Sequence, residues 1–260
     1  MNSKVNDSMT QEAEKPMLLA GGLANTRNIT QLTEAIMRTK ERHHLLPGIS
    51  CLYGPSGSGK STSASYVANN NFAYYVQAAS TDSKKSFMQA VLREMRIPGG
   101  KTIPEMVEAV STELAKSGRP LIIDEVDHLV RGNKVELIRD LYEKSQGTIL
   151  IIGEEFLPKK LEKFERFHGR MAHWVQALPA DVNDAIALSA VYAPNVEIHI
   201  AVFEKLIAEV RGSTRRVSIN LDLMNEAALE TGIKSVDLNS LKKLLPSGFV
   251  TGESPRPRSF

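Results

Sequence analysis

The sequence predicts a three-layer α/β sandwich with a parallel sheet, followed by a small all-helical unit. Three observations predict it. Short apolar runs alternate with helix-patterned segments as far as residue 178. A glycine-rich loop joins the first of those runs to a helix. Past Pro179 only helical patterns remain. Alternating strand and helix patterns read as parallel βα units, because parallel strands need a crossover and that crossover covers a sheet face.

Taken in order, residues 1–25 are polar with a Gly21–Gly22 pair and no periodicity, which predicts a flexible arm. From Asn28 to about His44, Ile29, Leu32, Ile36 and Met37 share one helical face, with Asn28 as a candidate cap. Residues 49–53 (ISCLY) form the first strand, and about 60–70 a helix. Residues 72–77 (FAYYVQ) are extended, and 82–96 are helical until Pro98–Gly99–Gly100. Thr102 and Glu105 make a capping box for the next helix. Residues 121–123 (LII) form a strand, 134–145 a helix, 148–152 (TILII) a strand, 159–168 a helix and 173–178 (HWVQAL) a fifth strand. Helices then follow at about 181–191, 198–211, 215–230 and 235–244, with Asp181 and Ser235 as N-caps. The expected division is an arm at 1–25, an α/β domain at 26–179, a helical lid at 180–246 and a flexible tail at 247–260.

Composition narrows the class. The 260 residues suffice for one large domain or one domain with a small companion, and 42% apolar with 24% charged residues is ordinary for a globular chain. No stretch approaches the ~18–20 apolar residues of a membrane span, and the polar N-terminus lacks a signal-peptide core. The single cysteine, Cys51, cannot form an internal disulfide, and no Cys/His spacing suits zinc. A cytoplasmic location is the expectation. Net charge is only +2, so any nucleic-acid surface must come from local arrangement.

The chemistry-bearing motifs sit at strand ends. Residues 54–61 read GPSGSGKS and match G-x-x-x-x-G-K-[ST] between a strand and a helix, the context of a phosphate-binding loop. Gly54, Gly57 and Gly59 permit the tight turn. The backbone across Pro55, Ser56 and Ser58 can aim N–H groups at phosphates, with Thr62 just inside the helix. Lys60 would reach the β- and γ-phosphates of ATP, and the Ser61 hydroxyl would ligate Mg²⁺. LIIDE at 121–125 brings two acids to a strand tip. Asp124 would hold Mg²⁺ and Glu125 would orient and deprotonate the attacking water. Asp127 and His128 follow, and His128 reads as a local hydrogen-bonding residue.

Other positions carry two readings each. Glu154, at the tip of strand 148–152, is either a polar sensor of the γ-phosphate or a helix-capping acid. As a sensor it needs a water or cation beside it to offset repulsion. Arg170 and Arg166 are either surface arginines or groups that reach a neighbouring subunit's nucleotide. Arg215, with Arg216 as fallback, opens a helix after Gly212, where the dipole disfavours a cation and thus hints at an anionic ligand. Lys84, Lys85, Lys101, Arg131 and Lys134 are either solvated charges or phosphate contacts to DNA.

The motif order resembles the AAA+ ATPases. Within them the chain is similar to the transposition ATPases, typified by phage Mu B protein and the TnsC, TniB and IstB proteins. Four stretches carry the resemblance, over about 45–240: NNNFAYYVQAASTDSKKSFMQAVLREM, LIIDEVDHL, LIIGEEFLPKKLEKFERFHGRM and GSTRRVSINLDLMNEAAL. It implies a P-loop AAA+ sandwich with a helical lid, ATP and Mg²⁺ as cofactors, and ATP-dependent helical assembly on double-stranded DNA. It also implies delivery of target DNA to a transposase that stimulates hydrolysis. Mu B protein has an N-terminal helix-turn-helix domain. The 44 residues preceding the matched region are too few for one, so DNA contact is expected from the ATPase core. A helicase-loader or replication-initiator ATPase is the alternative.

Overall fold

A computed structural model describes residues 18–19 and 22–252. Most of the expected arm (1–17 and 20–21) and the end of the expected tail (253–260) lie outside the described residues.

The α/β core runs α1 (Arg27–Lys40), β1 (Ile49–Tyr53), α2 (Lys60–Asn70), β2 (Tyr74–Gln77), α3 (Lys84–Met95), α4 (Ile103–Ser117) and β3 (Leu121–Asp124). It continues with α5 (Asp127–Arg131), α6 (Glu136–Ser145), β4 (Ile149–Gly153), α7 (Leu157–Leu161), α8 (Glu165–His168) and β5 (Met171–Gln176). The five strands pair in parallel in the order β2-β3-β4-β1-β5. Side chains alternate across a strand, so each apolar run feeds two cores. Leu52, Ile122, Leu150 and Ile152 pack on one face with Ile29, Leu32 and Ile36 of α1 and Ala64 and Val67 of α2. Cys51, Ile123, Ile149 and Ile151 pack on the other with Phe87, Val91, Val110, Leu114 and Leu141 of α3, α4 and α6.

The capping box at Thr102 and Glu105 is present. The single helix expected at 159–168 is instead α7 and α8. In an unbroken helix Phe167 would leave from a different face than Leu157 and Leu161. The break lets all three bury completely. Asn28 does not cap α1; Thr26 holds the cap position and Asn28 lies buried inside the helix.

Beyond Pro179 come α9 (Val182–Tyr192), β6 (Glu197–Ile198), α10 (Ile200–Val210), α11 (Thr214–Thr231), β7 (Ser235–Val236) and α12 (Leu238–Leu244). Their core joins Leu188, Val202, Phe203, Leu206, Leu221 and Met224. Asp181 caps α9 as expected. The expectation of helices alone is corrected by a short parallel pair, Glu197–Ile198 with Ser235–Val236. Ser235 is therefore in a strand, and Asp237 caps α12, because its carboxylate accepts from the N–H groups of Asn239 and Ser240. Residues 247–252, read as the start of a tail, are packed: Phe249 is buried, and Asn220 holds Val250 through both backbone groups.

Candidate functional site

The carboxyl ends of β1, β3 and β4 meet the first turns of α2 and α11 at a cavity of about 400 Å³, within the range that holds a small molecule. Leu23, Ala24 and Ile29 line one side, and Leu188, Val191, Tyr192 and Ile219 the other. Leu23 and Ala24 fall in the stretch read as an arm; Ala24 is buried and Leu23 pairs with Leu19. The cavity is thus apolar at one end. Its other end is the glycine loop.

That loop is shaped by local bonds. Gly57 and Gly59 adopt φ of 81° and 83°, a left-handed conformation that side chains resist. The Ser58 hydroxyl donates to the Pro55 carbonyl at 2.9 Å. Ser56, Gly57, Gly59, Lys60, Ser61 and Thr62 all line the cavity, whereas Ser58 is buried behind it. The first N–H groups of α2 have no helical acceptor and add the positive end of the dipole. Lys60 Nζ donates to the carbonyls of Gly54 and Pro55 at 2.8 and 2.9 Å. Burial lowers its pKa, an effect that nearby Asp124, Glu125, Asp127 and Glu154 oppose.

Asn28 clamps the loop from behind. Its amide donates to the carbonyls of Ser58 (2.9 Å) and Leu178 (3.0 Å), and its oxygen accepts from Leu178 N–H (2.8 Å). Arg27 next to it binds Asp184 and the Pro179 carbonyl. The start of α1 therefore joins the phosphate loop to the link between β5 and α9.

At the tip of β3, Asp124 is 1% exposed. One carboxylate oxygen accepts from Glu125 N–H and the other from the Tyr75 hydroxyl, both at 2.8 Å. Burial, followed by the charge of Asp124, pushes the Tyr75 phenol well above its ordinary pKa. Glu125 lines the cavity with φ of 54°, an uncommon value for a residue with a side chain. Bonds on both sides hold it there, from Ala78 N–H to Asp124 O and from Val126 N–H to Ile152 O. His128 donates its backbone N–H to Glu125 O.

Glu154 also lines the cavity, and two cations lie beside its carboxylate. Lys160 Nζ lies 2.7 Å and Arg131 3.5 Å from its carboxylate. The Lys160 hydrogen bond lowers the Glu154 pKa. Lys160 also binds buried Asp127 at 2.6 Å, and Asp127 accepts from Glu154 N–H at 2.6 Å.

From α11, Arg215 lines the cavity and donates its backbone N–H to Gly57 O at 3.0 Å. Arg216 packs instead against Gly252. Arg166 and Arg170 are outside this cavity. Arg170 precedes β5 at the opposite end of the sheet, where its carbonyl accepts from Ile49 N–H and its guanidinium pairs with Glu143 at 3.0 Å. Arg166 is exposed on α8.

The lysines proposed to meet DNA are partly gathered. Lys84 and Lys85 are exposed in the first turn of α3, and Lys134 bonds the Asp82 carbonyl just ahead of them. Lys84 also borders a depression with Glu136, Asp140 and Glu143. Lys101 is exposed before α4. Arg131 turns toward Glu154 and the cavity.

Ser61 and Asp124 are hard oxygen donors. Among the described residues no three or more His, Cys, Asp or Glu side chains form a metal cage. One hydroxyl and one carboxylate suit Mg²⁺, which takes the rest of its shell from water and substrate phosphates. The residues present therefore fit that ion.

Tyr75, Lys160 and Asn28 were not legible as site residues. Each acts through a partner distant in sequence, and the extended reading of 72–77 did not say which strand would lie beside Tyr75.

Residues 43–161 match the family model described as AAA domain. No curated protein matches the sequence. Among solved structures, the ORC2 protein of Aeropyrum pernix is 14% identical, with a TM-score of 0.61 over 91% of this chain and 70% of that one. Cdc6p of Pyrobaculum aerophilum is 15% identical, with a TM-score of 0.58 over 84% and 65%. The Aeropyrum pernix ORC1 protein, solved in complex with DNA, is 17% identical, with a TM-score of 0.57 over 85% and 64%. The chain thus spans between 64% and 70% of these three proteins. Among the described residues no helix is long and apolar enough to cross a membrane. The parallel five-stranded sheet, its phosphate loop and its flanking helices are the P-loop AAA+ α/β fold.

Proposed function

We propose that this chain is an ATPase that assembles on double-stranded DNA in its ATP state, delivers target DNA to a transposase, and disassembles on hydrolysis. The observation that carries the ATPase reading is one cavity with an apolar end and a phosphate loop, faced by Asp124, Glu125 and Arg215. The four sequence stretches named above support the transposition reading.

In this reading the adenine lies at the apolar end and the phosphates reach the loop. Lys60 leaves the Gly54 and Pro55 carbonyls for the β- and γ-phosphates, which its charge favours. N–H groups from Ser56 to Thr62 complete the cradle. Ser61 and Asp124 would hold Mg²⁺, whose role when bound is to neutralise charge on the phosphates. Glu125 takes a proton from the attacking water. Arg215 contacts the phosphates from the lid side. Glu154 positions water, its charge offset by Lys160 and Arg131. Arg170, or else Arg166, serves a neighbouring subunit, since neither reaches its own cavity. Lys84 and Lys85, with Lys101 and Lys134, line the DNA path through phosphate contacts; Arg131 joins them only by leaving Glu154.

The second reading, a replication-initiator or helicase-loader ATPase, is favoured by the fold likeness to ORC and Cdc6 structures. Phosphate release from ATP, with and without duplex DNA and Mg²⁺, tests the proposal. Mg²⁺-dependent release that rises with duplex DNA is expected. No release under any condition would refute the ATPase, and stimulation by a hexameric helicase but not by duplex DNA would favour the second reading.

A further inference from the structure

We infer that Tyr75 is a positioning residue for Asp124, holding the carboxylate in the orientation that receives the divalent ion of the ATP complex. The inference rests on the proposed role of Asp124 and adds a residue outside the phosphate loop and the LIIDE segment.

Sheet register sets the geometry. Tyr75 lies opposite Ile122, so Asp124 is two residues further along the neighbouring strand. Residues paired in a parallel sheet share a face, and a step of two keeps that face. Tyr75, Ile122 and Asp124 therefore point to the α1–α2 side. Two residues rise about 6.6 Å, which a tyrosine side chain can span. The ring packs against the apolar cluster of that face while its hydroxyl reaches the Asp124 carboxylate at 2.8 Å.

The bond uses Asp124's capacity selectively. An ionised carboxylate only accepts, with about four lone-pair sites. Glu125 N–H takes a site on one oxygen and Tyr75 takes a site on the other. With both oxygens tethered, the group cannot rotate about its last torsion, and its remaining lone pairs keep a fixed direction. Asp124 is 1% exposed, so water cannot readily replace a lost donor. Outer partners of metal ligands commonly alter affinity by about 10–100-fold when removed.

The test is Tyr75→Phe, which keeps the ring and deletes the donor. A fluorescently labelled ATP analogue is titrated into the full chain in EDTA and across a Mg²⁺ series. The expected result is unchanged affinity in EDTA and a Mg²⁺ midpoint raised about 10–100-fold. Adding Tyr75→Phe to Asp124→Asn should shift the midpoint no further, because the two residues act as one unit. An unshifted midpoint in Tyr75→Phe, or equal shifts with and without Asp124→Asn, overturns the inference. Tyr75→Met, a second variant lacking the hydroxyl, must show the same shift. Should neither variant fold cooperatively, the hydroxyl serves stability and the inference is also overturned. If the wild-type chain itself shows no Mg²⁺-dependent nucleotide binding, the ATPase reading fails first, which separates the two failures.

Discussion

Asn28 provides the sharpest energetic test of how this site is held. Replacing it with alanine removes three hydrogen bonds and leaves the Ser58 carbonyl and both backbone groups of Leu178 without their partner. At about 1 kcal/mol per bond the loss is ~3 kcal/mol. Alanine recovers roughly 0.6 kcal/mol through its better helix propensity. The net destabilisation is therefore about 2–3 kcal/mol. Asn28→Asp should be worse at neutral pH. Its carboxylate still accepts from Leu178 N–H but faces two carbonyl oxygens with a buried charge. Those neighbours raise the folded-state pKa of the introduced acid above its unfolded value. Folding then binds a proton, and the deficit shrinks as pH falls toward 5. Trp174, the chain's single tryptophan, lies on β5 and reports unfolding of this core in urea. An Asn28→Ala change within about 0.5 kcal/mol of wild type would place it with ordinary surface substitutions and refute the clamp. So would an Asn28→Asp chain more stable than Asn28→Ala at pH 7.

Three further predictions concern the proposed chemistry. Lys60→Ala should abolish ATP binding and with it DNA binding, as calorimetric titration would show; retained affinity contradicts the loop's role. Glu125→Gln should bind ATP normally and slow phosphate release by about 10²–10⁴-fold, with longer-lived DNA complexes; wild-type turnover would move the water-activating group elsewhere. Arg170→Ala should cost under about 1 kcal/mol of stability, because its pair with Glu143 is exposed, yet lower assembly-dependent hydrolysis by ~10³-fold. Mixing it with Glu125→Gln subunits should restore activity, and normal assembly without recovery would count against a role across subunits.

What the sequence disclosed follows the range of each interaction. The phosphate loop, the β3 acids and the Thr102–Glu105 box are set by neighbours within a few residues, so their residues and bounds were readable. Asn28 was misread because asparagine favours the N-cap position, whereas here Ser58 and Leu178 satisfy its amide inside the helix. The pair Glu197–Ile198 and Ser235–Val236 has no pattern of its own, since two residues cannot show alternation; pairing alone makes them strands. Tyr75 and Lys160 required the strand order and the fold of α7 before their targets could be named. As a sensor Glu154 was expected to need a water or a cation beside it; Lys160 and Arg131 lie there, by the fold of α7 and the α5 turn.

Nucleotide-controlled assembly on DNA is open to direct test by electron microscopy of the chain with linear duplex DNA. With Mg²⁺ and a non-hydrolysable ATP analogue, continuous protein assemblies should coat the DNA. They should be absent with ADP, without nucleotide, or with Lys60→Ala, and sequences of different composition should be coated alike. Bare DNA in the presence of the analogue, or equal coating without any nucleotide, would contradict the claim.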